Sequence, residues 1–314
     1  MKNFNLLYCF DEGYNLQTYA SIYSIAKNLT ESKIDIYIIH KNPDTFISYS
    51  EKIKNFDKVN EVFIFPFEKD ISNYPNLKNR HVSEATYYRL FLSEYIPKNL
   101  DHIIYLDSDV FCIKDPEHII SYSVENLLKS EFTISAATEV YKTKENHSSF
   151  SRLGLENERY FNAGVMIIDY QKWIKSIEVD ELLSTLRKSQ HLLDNWDQDL
   201  LNIIFDGNYM ELTNFLNYRI YFQIPNYFLD NYPIFIHFAG NHKPWTLEGS
   251  YDNVADIYFS LLDELEVKTY NIKLKSRKAK SLSILLRNIL LFKIFTRRKA
   301  TKLFIENLKA LLSG

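Results

Sequence analysis

Glycine, proline, cysteine and long apolar runs are all scarce in this chain of 314 residues. With only 7 Gly and 8 Pro beside 46% hydrophobic and 25% charged residues, the composition is that of an ordinary globular protein, and the chain is long enough to bury a core. Two cysteines are too few for a disulfide framework, which favours a reducing compartment. No run of about 18 uncharged apolar residues occurs, so we expect no membrane-spanning helix. The first residues, MKNFNLLYCF, lack the long apolar region of a secretion signal, and we expect a strand there.

Basic residues are concentrated near the carboxyl terminus. Residues 271–314 hold twelve Lys or Arg and a single acid, Glu306, which makes their net charge +11. Since the whole chain has a net charge of −3, residues 1–270 carry the difference, −14. The composition changes after residue 266, so we place a main catalytic domain at 1–266 and a basic amphipathic, largely helical C-terminal tail at 267–314.

The sequence of the tail suits attachment to an anionic membrane surface. Its segment SLSILLRNILLFKIF mixes apolar residues with Arg287 and Lys293, so it can lie in the lipid interface with its basic side chains reaching outward. Nucleic-acid binding and packing against the main domain are the alternatives. We favour an anionic membrane surface, bound through residues 271–314, as the partner and expect no nucleic acid. The protein would then be cytoplasmic and peripherally associated with the inner face of the membrane.

Short β-branched and aromatic runs alternate with segments of helical spacing through most of the main domain. We predict strands at Asn5–Phe10, Lys33–His40, Val62–Phe67, Ile103–Leu106, Phe132–Ala136 and Gly164–Asp169. We predict helices at Leu16–Leu29, Arg80–Tyr95 and Val179–Gln190. This alternation predicts an α/β fold with a mainly parallel sheet flanked by helices. Ligands of such sheets bind beyond the carboxyl ends of the strands, so residues just after strands are the first candidates for a site.

Two aspartates follow one of these strands directly. Asp107 and Asp109 come after the apolar run HIIYL, and alternate residues of an extended segment point to the same side, so both carboxylates can hold one cation. Carboxylate oxygens suit Mg²⁺ or Mn²⁺, and such an ion neutralises a departing diphosphate. Phosphatases of the haloacid-dehalogenase type also begin with an apolar strand and D-x-D. They require Thr or Val where this chain has Phe111, which argues against that class, and a solvated turn at the strand end stays open as the alternative to a metal site.

Further motifs accompany this triplet at spacings of tens of residues. They are Phe10–Tyr14 (FDEGY), Thr86–Leu90 (TYYRL), Phe161–Gly164 (FNAG), Asn195–Asp199 (NWDQD) and Ile236–Trp245 (IHFAGNHKPW). In this order, and with Asp107-Ser108-Asp109, they resemble glycosyltransferase family 8. That family consists of retaining enzymes with a GT-A fold and includes bacterial lipooligosaccharide galactosyl- and glucosyltransferases and glycogenin. The resemblance covers roughly residues 4–250.

The resemblance implies a metal centre and contacts for each part of a UDP-sugar donor. His237 would be the third ligand beside Asp107 and Asp109, and an imidazole favours Mn²⁺ over Mg²⁺, which stays the alternative. The residues implied to contact the donor are Cys9 through its backbone, Asp11, Gly13, Tyr14, Arg89, Ser108, Asn162, Ala163, Gly240 and Lys243. Lys243 suits a phosphate as a point charge, whereas Gly13 stands where the galactosyltransferase members have Asn.

The resemblance also implies the reacting centre. Asp197 and Gln198 would lie beneath the donor sugar as the catalytic residues, and Glu139 near the acceptor. An amide is a poor nucleophile, which argues against a covalent intermediate and hence against double displacement. The alternative is front-face displacement, in which the leaving diphosphate takes the acceptor's proton, and both routes stay open. In the second route Gln198 stabilises positive charge on the sugar. The partners would be UDP-galactose or UDP-glucose and a glycan, glycolipid or glycoprotein acceptor.

Two other functions stay open at this point. One is a metal-dependent phosphatase or sugar-nucleotide hydrolase, which would share the metal and the diphosphate site. The other is a non-catalytic, membrane-bound sensor of sugar nucleotides, which would be supported by the loss of a metal ligand. Both aspartates and His237 are present, so a UDP-hexose-dependent hexosyltransferase that forms an α-glycosidic bond is the favoured hypothesis.

Overall fold

The computed structural model describes residues 3–71, 74, 83–220, 233–240, 243–291 and 299–313, which form an α/β structure. The strands in these ranges are Asn3–Phe10 (β1), Lys33–His40 (β2), Val59–Pro66 (β3), His102–Leu106 (β4), Val110–Cys112 (β5), Ile134–Tyr141 (β6), Arg159–Asp169 (β7), Met210–Glu211 (β8), Tyr218–Arg219 (β9) and Phe235–His237 (β10). The α-helices are Asn15–Ala26, Ile47–Ile53, Leu92–Tyr95, Glu117–Lys129, His147–Leu153, Tyr170–Ser176, Val179–Ser189, Trp196–Phe205, Ala255–Glu264, Lys278–Leu290 and Ala300–Ser313.

Seven strands form one sheet in the order β3-β2-β1-β4-β7-β6-β8, and β5, β10 and β9 form a small second sheet. In the large sheet β3, β2, β1 and β4 run parallel, as do β6 and β8, whereas β7 runs antiparallel to both of its neighbours. The prediction of a mainly parallel sheet flanked by helices is therefore confirmed. Since β1 and β4 are parallel neighbours, Phe10 and Leu106 end at the same edge of the sheet, and the loops after them meet there.

Alternation along β1 sends side chains into two separate cores. Leu6 and Tyr8 belong to the core on one face of the sheet, and Leu7 and Cys9 to the core on the other. The helix Asn15–Ala26 covers the first face and buries nearly all of its residues. Each fully buried aliphatic side chain of this kind contributes roughly 1.5–3 kcal/mol. The sheet is therefore fixed from both sides, and its carboxyl edge is a rigid base for a site.

Two predicted elements differ from the structure in ways that affect the site. The strand expected to begin at Gly164 begins at Arg159 instead, and its register against β6 shifts at Ala137, so FNAG lies inside β7 at a bulge. The predicted α-helix Arg80–Tyr95 begins at residues outside the described ranges. Its described part is a 3₁₀ helix, Glu84–Phe91, followed by one α turn. A 3₁₀ helix aligns residues three apart, which directs Thr86 and Arg89 to the same side.

The segment after residue 266 packs against the main domain in part. Tyr270 and Ile272 are buried in the core of the first sheet face, as is Leu303 of the last helix. The backbone of Lys273 pairs with the loop after β10, donating to Trp245 O at 2.8 Å. Lys293, Arg297 and Arg298 of the predicted tail lie outside the described residues. Among the described helices none is both long and apolar enough to cross a membrane.

Candidate active site

Three predicted metal ligands converge at the carboxyl edge of the large sheet. Asp107 and Asp109 follow β4, and β10 pairs antiparallel with β5 so that His237 lies opposite Val110, the residue after the second aspartate. One nitrogen or oxygen atom from each of the three side chains lies within 4.8 Å of the others. His237 Nε2 is 3.3 Å from Asp109 Oδ1 and 3.9 Å from Asp107 Oδ2. The small sheet is thus what brings a ligand from more than a hundred residues away to the aspartates.

Hydrogen bonds through two asparagine side chains orient the ring of His237 and place a proton on Nδ1. Asn162 Oδ1 accepts from the backbone N–H of Gly164 at 3.0 Å, and Asn217 Nδ2 donates to the same oxygen at 3.0 Å. The oxygen of Asn217 therefore faces His237 Nδ1, at 2.9 Å, and Nδ1 carries the proton. In the neutral ring, Nε2 then keeps a lone pair that is directed at the carboxylates. Such orientation by a hydrogen bond to the second ring nitrogen is typical of histidines that bind metal.

The surroundings of Asp109 fit a cation. Its Oδ1 is buried without a hydrogen-bond donor among the described residues and faces the lone pair of His237 Nε2. A buried carboxylate oxygen opposite a nitrogen lone pair is unfavourable unless positive charge lies between them. The residues present therefore fit a divalent ion bound by two carboxylates and one imidazole.

Lys243 lies on the opposite side of the same carboxylate. Its ammonium donates to Asp109 Oδ2 and, at 2.5 Å, to Phe238 O, and the residue is 8% exposed. Burial alone would raise the pKa of Asp109, but the ammonium of Lys243 holds it below its ordinary value. Positive charge from the chain itself therefore borders the metal ligands, in a position from which it can also meet a phosphate.

Gly164 allows two of the ligands to come together. A Cβ at this position would be 2.9 Å from Asp107 Oδ2 and 2.9 Å from His237 Nδ1, closer than real Cβ atoms come to their neighbours. The carbonyl of Gly164 also accepts from the N–H of Asp107 at 2.8 Å, which extends the β4–β7 ladder into the site. The glycine of the FNAG motif is therefore required by the approach of the ligands and not by its backbone angles.

Arg89 lies between the predicted metal ligands and the predicted catalytic residues. The guanidinium is 5% exposed, lies 3.1 Å from Asp107 Oδ1 and 2.8 Å from Asp197 Oδ2, and donates to Ala163 O at 2.6 Å. It also lies over the ring of Tyr105 at 4.0 Å. One buried cation thus balances two carboxylates that would otherwise repel each other, while one wall of the cleft is formed by the same side chain.

Asp197 is held in a dry environment at the start of the helix Trp196–Phe205. It is 2% exposed, and Thr86 donates its hydroxyl proton to it. Burial raises the pKa of Asp197 to about 6, against the opposing effects of Arg89 and Thr86. Trp196 before it has φ 45°, a left-handed conformation that bulky residues rarely adopt. The predicted catalytic pair therefore lies directly after a strained turn, a feature common at active sites.

Gln198 lies in the same cleft with its amide fully engaged. Its Oε1 accepts from Ala163 N at 3.1 Å and Asn162 Nδ2 at 3.2 Å. Its Nε2 donates to Glu139 Oε2 at 3.1 Å, and Asn162 Nδ2 donates to that oxygen at the same distance. Glu139, the predicted acceptor residue, is thus next to the predicted catalytic amide.

One cleft of about 630 Å³ contains most of the predicted site. Its walls include the predicted residues Cys9, Tyr14, Arg89, Asp107, Ser108, Asp109, Glu139, Asn162, Ala163, Asp197, Gln198, His237, Gly240 and Lys243. A volume of this size lies in the range of pockets that enclose small organic ligands. Burial raises the pKa of the Cys9 thiol, so this part of the wall is neutral. Asn241 and His242 of the IHFAGNHKPW motif lie outside the described residues.

Two predicted donor residues do not line the cleft. Asp11 accepts from Gly13 N at 2.9 Å and from the hydroxyl of Ser83, which stabilises the turn Glu12–Tyr14. Gly13 is exposed, and its carbonyl accepts from Lys273 Nζ at 3.0 Å. Both residues therefore support the loop that carries Tyr14, whose ring meets that of Trp245 at 6.0 Å.

Sequence reasoning missed two residues that orient the metal ligands. Tyr105 donates to Asp107 Oδ1 at 2.7 Å, and it precedes Asp107 by two positions, so alternation along the strand could have identified it. Asn217, fully buried, orients His237 but belongs to no motif. Its position depends on β9 pairing with β10 through only two residues, which no local pattern indicates.

Comparisons with known proteins agree with this geometry. The sequence profile of glycosyl transferase family 8 matches residues 5–249. The chain is 27% identical to a lipopolysaccharide 1,2-glucosyltransferase of Escherichia coli over 80% of this chain and 75% of that protein. It is 26% identical to a lipopolysaccharide 1,3-galactosyltransferase of Salmonella typhimurium, over 79% and 74%. The solved galactosyltransferase LgtC, in complex with donor and acceptor sugar analogs, has the same fold with a TM-score of 0.67 at 19% identity, covering 83% of this chain and 95% of that one.

Proposed function

Because the chain belongs to glycosyl transferase family 8 and is therefore a glycosyltransferase, we propose that it moves galactose or glucose from a UDP-sugar to a hydroxyl of a glycan or glycoconjugate, with retention and in the presence of Mn²⁺. One observation carries the proposal. The Asp107, Asp109 and His237 triangle and the amide of Gln198 face one cleft of about 630 Å³. The relatives that are named as lipopolysaccharide glucosyl- and galactosyltransferases support a hexose donor.

The metal ligands support Mn²⁺ ahead of Mg²⁺. An imidazole beside two carboxylates is a borderline ligand set, whereas Mg²⁺ prefers oxygen ligands and water. A divalent ion bound there would supply charge neutralisation for the departing diphosphate. Lys243, whose ammonium borders Asp109, would add positive charge on the same side, and Arg89 would hold Asp107 in place.

The residues at the sugar end support transfer with retention. Asp197 would bind sugar hydroxyls, which its buried carboxylate can do while Arg89 balances its charge. The carbonyl dipole of Gln198 would stabilise positive charge on the sugar, and both the front-face and the double-displacement route stay open. Glu139, within 3.1 Å of the Gln198 amide, would bind the acceptor hydroxyl. Tyr14 would stack on the uracil base, and Ser108, Asn162, Ala163 and Gly240 would complete the donor contacts.

The phosphatase hypothesis gains nothing from the structure. The position at which that class requires a small or hydroxyl-bearing residue is Phe111. Phe111 is fully buried and packs edge-on against Phe238 and Tyr258 at 5.7 and 5.5 Å. The ring of Phe111 is thus part of the core and does not match the Thr or Val of that class.

We also propose that the helix Lys278–Leu290 attaches the enzyme to an anionic membrane surface from the cytoplasmic side. Leu282, Leu286 and Leu290 repeat every four residues and are 47%, 51% and 77% exposed. Lys278 and Lys280 lie at the beginning of the same helix. Exposed leucines flanked by basic residues suit an anionic lipid interface, where each basic residue contributes about 1 kcal/mol. Attachment there would bring the cleft to lipid-linked or surface-glycan acceptors.

A donor screen tests the transferase proposal. The protein is incubated with UDP-galactose, UDP-glucose and other UDP-sugars, with Mn²⁺ or Mg²⁺ and a panel of glycan acceptors, and the release of UDP is followed. We expect acceptor-dependent release from one hexose donor and none from Asp109→Ala. Equal release without acceptor would indicate a hydrolase. Tight UDP-sugar binding without turnover would indicate a sensor, and either result would contradict the transferase proposal.

A further inference from the structure

The amide of Gln198 is held from both ends. Its nitrogen donates to Glu139 Oε2 and to the hydroxyl oxygen of Tyr160, each at 3.1 Å. Its oxygen accepts from the backbone N–H of Ala163 at 3.1 Å and from Asn162 Nδ2 at 3.2 Å. Of these partners, Ala163 N–H and Asn162 Nδ2 can only donate, and an ionised Glu139 can only accept. The remaining partner, Tyr160, can do either, so its own proton decides what it offers to Gln198.

Asp199 determines where the proton of Tyr160 points. Tyr160 OH donates to Asp199 Oδ1 at 2.5 Å. Asp199 is fully buried, and its other oxygen accepts from the backbone N–H groups of Asp194 and Asn195 at 2.7 and 3.0 Å. A carboxylate so placed can only accept, so the phenol proton lies on the Asp199 side. Burial and the charge of Asp199 raise the pKa of Tyr160 well above its ordinary value, and the phenol stays protonated.

The consequence for Gln198 is a single allowed orientation. With its proton directed to Asp199, Tyr160 offers only a lone pair, which requires the nitrogen of the Gln198 amide beside it. Turning the amide over would place its oxygen against the Tyr160 lone pair and the Glu139 carboxylate, and its NH₂ against the N–H of Ala163. Every one of these contacts would be repulsive in a buried site, where an unmet hydrogen bond is costly.

We propose that Tyr160, oriented by Asp199, is a positioning residue that fixes the Gln198 amide and so sets the dipole that the amide presents to the donor sugar. The proposal rests on the proposed transferase function for its kinetic consequence. It does not need that function for its structural consequence, which is that Gln198 Nε2 loses one of its two hydrogen-bond acceptors, and the side chain one of its restraints, when the Tyr160 hydroxyl is removed. Neither Tyr160 nor Asp199 is among the metal ligands or the donor contacts that the sequence predicted.

Tyr160→Phe tests the proposal because it removes one oxygen and keeps the ring. We expect kcat to fall about tenfold, which corresponds to a barrier that is higher by roughly 1.4 kcal/mol. The KM for the UDP-sugar should change less than twofold, and the affinity for UDP alone should not change. A merely structural residue would instead lower thermal stability and alter both parameters together.

Tyr209→Phe is the matched control. Tyr209 is also fully buried, its hydroxyl lies 2.7 Å from Thr138 Oγ1, and its ring meets Phe161 at 5.0 Å, yet it does not contact Gln198. We expect this variant to keep the kcat of the unchanged enzyme. An equal loss in both variants, or no loss in Tyr160→Phe, would overturn the proposal.

A crystal structure of Tyr160→Phe separates failure of the proposal from failure of the proposed function. We expect the Gln198 side chain to shift away from its contacts with Ala163 or Glu139. A Gln198 side chain that keeps both contacts in one orientation would contradict the proposal even if no donor supports turnover. If the unchanged enzyme releases no UDP with any donor, the transferase function fails, and the structure of the variant still decides the role of Tyr160.

Discussion

The cleft buries its charged side chains, whereas the C-terminal segment leaves most of its own exposed. The C-terminal segment here means the described parts of residues 267–313. In the cleft, Arg89, Asp109, Asp197 and Lys243 are at most 8% exposed, and each is paired with another charge. In the C-terminal segment most basic side chains are exposed, and Leu282, Leu286 and Leu290 of the helix Lys278–Leu290 face outward. Buried, paired charges fix geometry, whereas exposed ones give long-range attraction that salt screens. The two regions should therefore respond to different perturbations.

The largest expected effect comes from adding one methyl group to the cleft. Gly164→Ala would force apart Asp107 and His237, because the new Cβ would lie within 2.9 Å of both side chains. We expect a loss of activity on the order of a hundredfold or more and a matching loss of Mn²⁺ affinity, as for other changes that disturb metal ligands. Titration of Mn²⁺ followed by electron paramagnetic resonance measures the affinity directly.

Gly154→Ala is the control for Gly164→Ala. Gly154 has φ +69°, and a Cβ there would meet no atom within 4 Å, so the substitution introduces backbone strain without a clash. It should lower the melting temperature and leave the Mn²⁺ affinity unchanged. Full Mn²⁺ affinity in Gly164→Ala would show that the ligands can rearrange, and the close approach would then not be what the site requires.

The next effect is on the pH dependence of the reaction. The pKa of Asp197 is raised to about 6 from an ordinary value of 3.8, so the carboxyl takes up a proton as the pH falls through about 6. If the ionised form binds the donor sugar, kcat/KM should fall about tenfold for each pH unit below 6. Asp197→Asn should react slowly, and its kcat/KM should not fall as the pH is lowered below 6. A kcat/KM that stays constant from pH 7 to pH 5 would contradict the assignment.

How far the sequence predicts the molecule differs between the two regions as well. One cleft contains the five residues that the resemblance implied for the metal and the sugar, because they lie at strand ends and at the start of a helix, where local structure decides which way a side chain points. These residues are Asp107, Asp109, His237, Asp197 and Gln198. Asn217 and the Asp199–Tyr160 pair were not predicted, since their roles depend on hydrogen bonds between segments far apart in the chain. In the C-terminal segment, composition indicated helices and basic character but not that Tyr270 and Leu303 enter the core.

Substituting the exposed leucines should give a smaller effect, and only on binding to lipid. Leu282→Ser combined with Leu286→Ser should reduce binding to vesicles of anionic phospholipid about tenfold, because two apolar side chains no longer enter the interface. Transfer to a soluble acceptor should not change. Leu312→Ser, on the last helix and 81% exposed, is the control and should keep vesicle binding. If the unchanged protein and both variants bind equally to anionic and to neutral vesicles, this helix does not attach the protein to an anionic membrane.

The smallest effect is expected where the two regions meet. Lys273 pairs through its backbone with Trp245 and Leu247 of one cleft loop, and its ammonium donates to Gly13 O of the other at 3.0 Å. Lys273→Met keeps the backbone pairing and removes the link between the loops. We expect the KM for the UDP-sugar to rise about threefold with kcat unchanged, since an exposed hydrogen bond contributes little and the metal ligands are untouched. Lys268→Met, an exposed lysine on the same segment, should match the unchanged enzyme. A donor KM that is the same in both variants would mean that the C-terminal segment packs beside the cleft without supporting it.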